Sequence, residues 1–154
     1  MKKLLKLLCI ISVMGIFLVS TLPTASTEAP FKINVLDVSY TDLDVDGLED
    51  DIFIHFNFNW NSRMNGVTKL QLLVTIGLPS GNEFISAYEI KTNIEDLNLG
   101  IDALNTATEP GWYTLKMEGI IIGNAGAPAY NHCTKIFDPP GGHSGDPKYS
   151  IYRL

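Results

Sequence analysis

Apolar and polar residues alternate with a period of two along much of this 154-residue chain, the pattern of strands that bury one face. The clearest run is 52–60, where Ile52, Ile54, Phe56, Phe58 and Trp60 fall on one side and Phe53, His55, Asn57 and Asn59 on the other. The β-branched and aromatic run 33–40 precedes it. After a polar turn at 61–66, Leu70, Leu72, Val74, Ile76 and Leu78 share a face opposite Lys69, Gln71 and Thr75. Pro79-Ser80-Gly81-Asn82 turns the chain again, and Phe84, Ser86, Tyr88 and Ile90 form a third alternating face. These runs predict strands whose first faces make a core.

Farther along, the pattern weakens. Ile94, Leu97, Ile101 and Leu104 suit one helical face, yet Gly100 and the asparagines oppose a helix, so 94–104 reads as a crossover of irregular strand or short helical turn. At 109–117 a Pro-Gly turn feeds an alternating strand with an early tyrosine. Its P-G-x-Y-x-L string resembles that of immunoglobulin-like and fibronectin type III-like sandwiches, which implies that Tyr113 ties down a crossing between two sheets. The paired cysteines of antibody-type members are missing. Glycines and prolines predict an irregular segment over most of 123–148, either a binding loop or a bland surface connection, before a last edge strand at 149–153. The expected fold is all-β, an antiparallel immunoglobulin-like β-sandwich of about seven strands, with a partly open barrel as the alternative.

The amino terminus changes the picture of where the domain works. Lys2, Lys3 and Lys6 precede an apolar run from Leu7 to Val19 and then small or turn-forming residues at 20–26. This order predicts a secretory signal over residues 1–26, cut between Ala25 and Ala29, and a single domain over 27–154. An uncleaved membrane anchor is the alternative, although the run is shorter than the roughly 20 residues a spanning helix needs. Cys9 follows the bulky Leu8 and sits too early for a lipid-attachment site. Loss of the early lysines leaves 8 of the 11 basic residues against 17 acids, and the formal charge moves from −6 to about −9. Nucleic acid is therefore not an expected partner. Cys133 becomes the only cysteine, so an exported chain would lack an internal disulfide and need other bracing.

A brace is suggested by residues 42–51, Asp-Leu-Asp-Val-Asp-Gly-Leu-Glu-Asp-Asp, with carboxylates at loop positions 1, 3, 5 and 9 and glycine at 6. Alternate side chains of such a turn converge on one point, and Ca2+ takes hard oxygen ligands there. The predicted ligands are Asp42, Asp44, Asp46, the Leu48 carbonyl and Asp50, with Asp51 as a supplement. An EF-hand frame fails because position 12 is Phe53 and both flanks read as strands. A solvated acidic turn without an ion is the alternative. The D-x-D-x-D-G-x-x-D string resembles calcium loops between strands in secreted bacterial and archaeal repeats and in integrin-type propeller blades. Together with G-W-Y-T and the F-D-P-P-G-G string at 137–142, it resembles uncharacterised secreted cell-surface domains of prokaryotes, a resemblance that implies no activity.

Catalytic sets are sparse. His132, Cys133 and His143 could be drawn as a thiol or metal site, but adjacent side chains on an extended chain point apart. His143, Ser144 and Asp146 lack the strand-turn-helix setting of a hydrolase nucleophile, and His55 reads as a solvated sheet residue. The expectation is a non-enzyme: a cell-surface interaction module for an unidentified surface protein or glycan, membrane-bound only if the amino-terminal segment stays uncleaved. A carbohydrate-binding module is the second class, and a metal-dependent hydrolase the third. The candidate aromatics for sugar binding, Phe53, Trp112, Tyr130, Tyr149 and Tyr152, are scattered in sequence.

Overall fold

In the computed structural model, which describes residues 31–60, 68–122, 128–138 and 147–154, the alternating runs become eight strands. They are β1 (Phe31–Thr41), β2 (Asp51–Trp60), β3 (Thr68–Gly77), β4 (Glu83–Thr92), β5 (Asp96–Leu104), β6 (Tyr113–Ile122), β7 (Ala129–Phe137) and β8 (Lys148–Arg153). Two four-stranded antiparallel sheets form, in the orders β1-β2-β5-β8 and β4-β3-β6-β7. This is a β-sandwich, consistent with an immunoglobulin-like domain, in which β1-β2, β3-β4 and β6-β7 pair within a sheet and the other connections change sheets.

The inner faces carry the residues that the alternation selected. Ile52, Ile54, Phe56 and Phe58 are wholly buried against Leu70, Leu72, Val74 and Ile76 of the opposing sheet, joined by Leu115 and Met117. Burying such side chains contributes about 1.5–3 kcal/mol each, which makes this interleaved layer the main source of stability. Gly119 on β6 leaves room for the first strand to approach, since a Cβ there would stand 2.9 Å from Ile33 Cδ1. Asn131 on β7 then donates from Nδ2 to the Phe31 carbonyl at 2.9 Å, tying the edge of one sheet to the edge of the other.

Two segments differ from the sequence reading. The expected crossover at 94–104 is β5, a regular strand with Leu97, Leu99, Ile101 and Ala103 buried at period two. The helical spacing of Ile94, Leu97, Ile101 and Leu104 is incidental. Gly100, which argued against regular structure, lies under aromatic rings on the outer face and is tolerated there. The expected irregular segment 123–148 contains β7. Its inward positions are Ala129, Asn131, Cys133, Lys135 and Phe137, while Tyr130 and Ile136 face out, so the strand has no apolar alternation to read. The last strand at 149–153 is present as β8, and eight strands stand among the described residues where about seven were expected. The signal or anchor expected over 1–26, the turn at 61–66 and the F-D-P-P-G-G segment beyond Asp138 lie outside the described residues.

Candidate metal site between the first two strands

The loop 42–50 joins β1 to β2 at one end of the sandwich and is wound by its own carboxylates. Asp42 accepts from the Asp46 N–H at Oδ1 (3.0 Å) and from the Gly47 N–H at Oδ2 (2.9 Å), and Asp46 Oδ1 accepts from the Leu48 N–H at 2.9 Å. Two residues take left-handed backbone, Gly47 at φ 94° and Val45 at φ 62°. Glycine accepts this freely; a β-branched valine does so only at a cost of about 1–3 kcal/mol.

Asp51, the first residue of β2, is fully buried and holds the loop to the rest of the fold. Its Oδ2 accepts from the Leu43 and Asp44 N–H groups at 2.6 and 3.1 Å, and its Oδ1 from the Asn105 N–H at 2.7 Å. Asn105, at φ 54°, opens the crossing from β5 to β6. Next to it, the Thr106 and Ala107 N–H groups donate to the Asp50 carbonyl at 2.9 and 2.7 Å, and Thr106 Oγ1 donates to the Ala103 carbonyl at 2.8 Å. The same crossing ends at Tyr113, whose buried hydroxyl accepts from the Glu109 N–H and donates to the Glu109 carbonyl, both at 2.8 Å. This is the tyrosine anchor that the P-G-x-Y-x-L string implied. The acidic loop and the tyrosine-anchored crossing thus form one hydrogen-bonded junction.

Within that junction, carboxylate oxygens of Asp42, Asp44 and Asp51 lie within 4.8 Å of one another. Two oxygens on a single Ca2+ at 2.3–2.6 Å can be at most about 5 Å apart, so the spacing fits one hard cation. Asp42 accepts one N–H at each oxygen and Asp51 one at Oδ1, so these oxygens each keep a lone pair for a metal, whereas Asp51 Oδ2 already accepts two N–H groups. Of the predicted ligands, Asp42 and Asp44 belong to the converging set. Asp46 is exposed and outside it, Leu48 is half-buried with its N–H on Asp46, and Asp50 is buried beside the set without belonging to it. Asp51, expected as a supplement, supplies the third carboxylate. Alternate-position spacing could not single it out, because its placement depends on Asn105, 54 residues away.

The other candidates separate. On β7, His132 lies on the exposed outer face, stacked on Tyr130 with centroids 5.7 Å apart, while Cys133 points inward. Burial pushes the Cys133 thiol up, with a hydrogen bond to the Met117 backbone pulling the other way. His143, Ser144 and Asp146 lie outside the described residues. Trp112 is 66% exposed and pairs with no other ring among the described residues. The fold and the site together define a β-sandwich with an acidic junction able to gather a cation. In comparisons with known proteins the chain matches no family model, no curated protein and no solved structure.

Proposed function

We propose that this protein is a non-catalytic, exported interaction module whose first hairpin is braced by Ca2+. The observation that carries the reading is the convergence of Asp42, Asp44 and Asp51 at the point where the β1–β2 loop is tied to the β5–β6 crossing. Three carboxylates held this close repel one another, and a bound divalent cation turns that repulsion into attraction. Oxygen-only donors suit Ca2+ better than a transition metal, which would draw imidazole or thiolate ligands. An extracellular setting, argued from the amino-terminal sequence, supplies millimolar calcium and no disulfide brace.

A non-catalytic role is supported by the separation of the reactive groups. His132 and Cys133 face opposite sides of β7, and a thiol with a raised pKa is a poor nucleophile at neutral pH. The test is thermal melting in calcium and in chelator, with calorimetry of calcium binding alongside. A Kd of about 0.1 mM and roughly 2 mM calcium give about 1.8 kcal/mol of stabilisation. An unchanged midpoint together with no binding heat would remove the site.

A further inference from the structure

Phe53 on β2 and Tyr152 on β8, nearly a hundred positions apart in the chain, meet above Gly100 on the outer face of the β1-β2-β5-β8 sheet. A Cβ on Gly100 would stand 2.9 Å from Cε2 and Cζ of Tyr152 and 3.1 Å from Cε2 of Phe53. Tyr152 is directly opposite Gly100 in the β5–β8 ladder, and its hydroxyl donates to Asp102 Oδ1 at 2.9 Å. Its ring therefore reaches from β8 across the glycine to Asp102, lying along the sheet, and the residue stays 40% exposed. His55, opposite Gly100 on β2, extends the row, with its ring 6.5 Å from that of Phe53 and 22° from parallel. Any larger residue at position 100 would push the Tyr152 and Phe53 rings away from the sheet.

The groups around the rings are polar. Ser39 and Asp102 stand opposite Phe53 on either side, and the next row holds Asn57 and Asn98, joined by an Asn57 Nδ2 to Asn98 Oδ1 hydrogen bond of 3.2 Å. Among the described residues, the exposed aliphatic residues of this sheet's strands and end are Leu36, at the β1 bulge between Val35 and Asp37, and Leu154, whose N–H donates to the Asn98 carbonyl at 3.1 Å. The outer face of the other sheet is unlike it, exposing Leu73, Ile85, Ile120 and Ile122.

We propose that the Phe53–Tyr152 face binds pyranose rings of an extended glycan. A pyranose with equatorial substituents offers a flat C–H face to an aromatic plane and hydroxyls at its rim to carboxylate and amide groups. A protein partner seeking aliphatic carbon would find more of it on the outer face of the other sheet, at Leu73, Ile85, Ile120 and Ile122, than at Leu36 and Leu154 here. The inference rests on the interaction-module reading and names its partner, and it does not require the ion.

The test is calorimetric titration of the purified protein with cellohexaose, chitohexaose and β-1,4-mannohexaose, whose rings present such C–H faces. At least one should bind with Kd of about 10⁻⁴ M, and Tyr152→Ala or Phe53→Ala should weaken it about tenfold. Trp112→Ala should leave it unchanged. Because truncation uncovers Gly100 and can unfold the sheet, Tyr152→Trp is included, and it should bind within about threefold of the native protein. In the native protein, sugar addition should shift the NMR signals of the Gly100 amide and the His55 ring. Absence of heat and shift with all three sugars up to about 10 mM would overturn the proposal, as would binding that survives both alanine variants. The calcium-dependent melt is read without sugar, so failure of either reading leaves the other standing.

Discussion

Replacing Asp51 with alanine removes the acceptor that three backbone N–H groups share, and the structure allows the cost to be worked out. The Asn105 N–H is buried, so leaving it unpaired costs about 1–3 kcal/mol; the Leu43 and Asp44 N–H groups are partly buried and can rehydrate, at about 0.5–1 kcal/mol each. Against this, deleting one of three carboxylates within 4.8 Å relieves repulsion on the order of 1 kcal/mol per pair. Two of the three pairs vanish, so in chelator the variant should be less stable by up to about 3 kcal/mol, about 1.5 at mid-range, with its midpoint lowered by roughly 4 °C per kcal/mol. In millimolar calcium the deficit should widen by about 1.8 kcal/mol, because the native protein gains from binding and the variant does not. Asp44→Asn separates the two roles. Its exposed side chain accepts no loop N–H among the described residues, so this variant should melt in chelator at or slightly above the native midpoint and lose the calcium shift. Thermal melts followed by circular dichroism read all four conditions. An Asp51→Ala midpoint in chelator above the native one would refute the hydrogen-bond argument, and a full calcium shift in Asp44→Asn would refute the metal argument.

Val45 holds a left-handed backbone with its side chain 85% exposed, so Val45→Asn should raise the midpoint in chelator, by about 1 kcal/mol of relieved strain. A lower midpoint would show that the loop takes another conformation. Burial pushes the Tyr149 phenol up to about 12, with the nearby Tyr88 contributing in the same direction, and its hydroxyl has no hydrogen-bond partner among the described residues. Since the unfolded phenol ionises near 10, the folded state holds the proton longer, and stability should fall as pH rises from about 10 to 12. Tyr149→Phe should be neutral or stabilising by up to about 1 kcal/mol at pH 7 and should flatten that alkaline loss. Melts of both proteins from pH 7 to 11 check it, and a destabilised phenylalanine variant at pH 7 would mean that the hydroxyl is satisfied.

The comparison of segments shows which information is local. Strands β2 and β3 were legible because each buries one complete apolar face between defined turns, so period two survives in the sequence. β7 was not, because it pairs with a neighbour on one side only and places Tyr130 and Ile136 toward solvent. β5 was ambiguous because Leu97 and Ile101 belong both to a helical face with Ile94 and Leu104 and to a period-two face with Leu99 and Ala103, and its neighbours β2 and β8 on either side decide between them. The tyrosine anchor needed only residues 109–113 and was readable for that reason.

The same division applies to the two sites. By itself, the sequence determined that carboxylates would crowd the turn between the first two strands, because side-chain spacing over ten residues and one permissive glycine settle the course of a short loop. Only the tertiary structure decided which of them converge, since the third is chosen by a backbone N–H from the β5–β6 crossing. Likewise the sequence listed its aromatics without an arrangement. Register across β2, β5 and β8 brought Phe53, His55 and Tyr152 to one glycine, and register is a property of paired strands that no single strand carries.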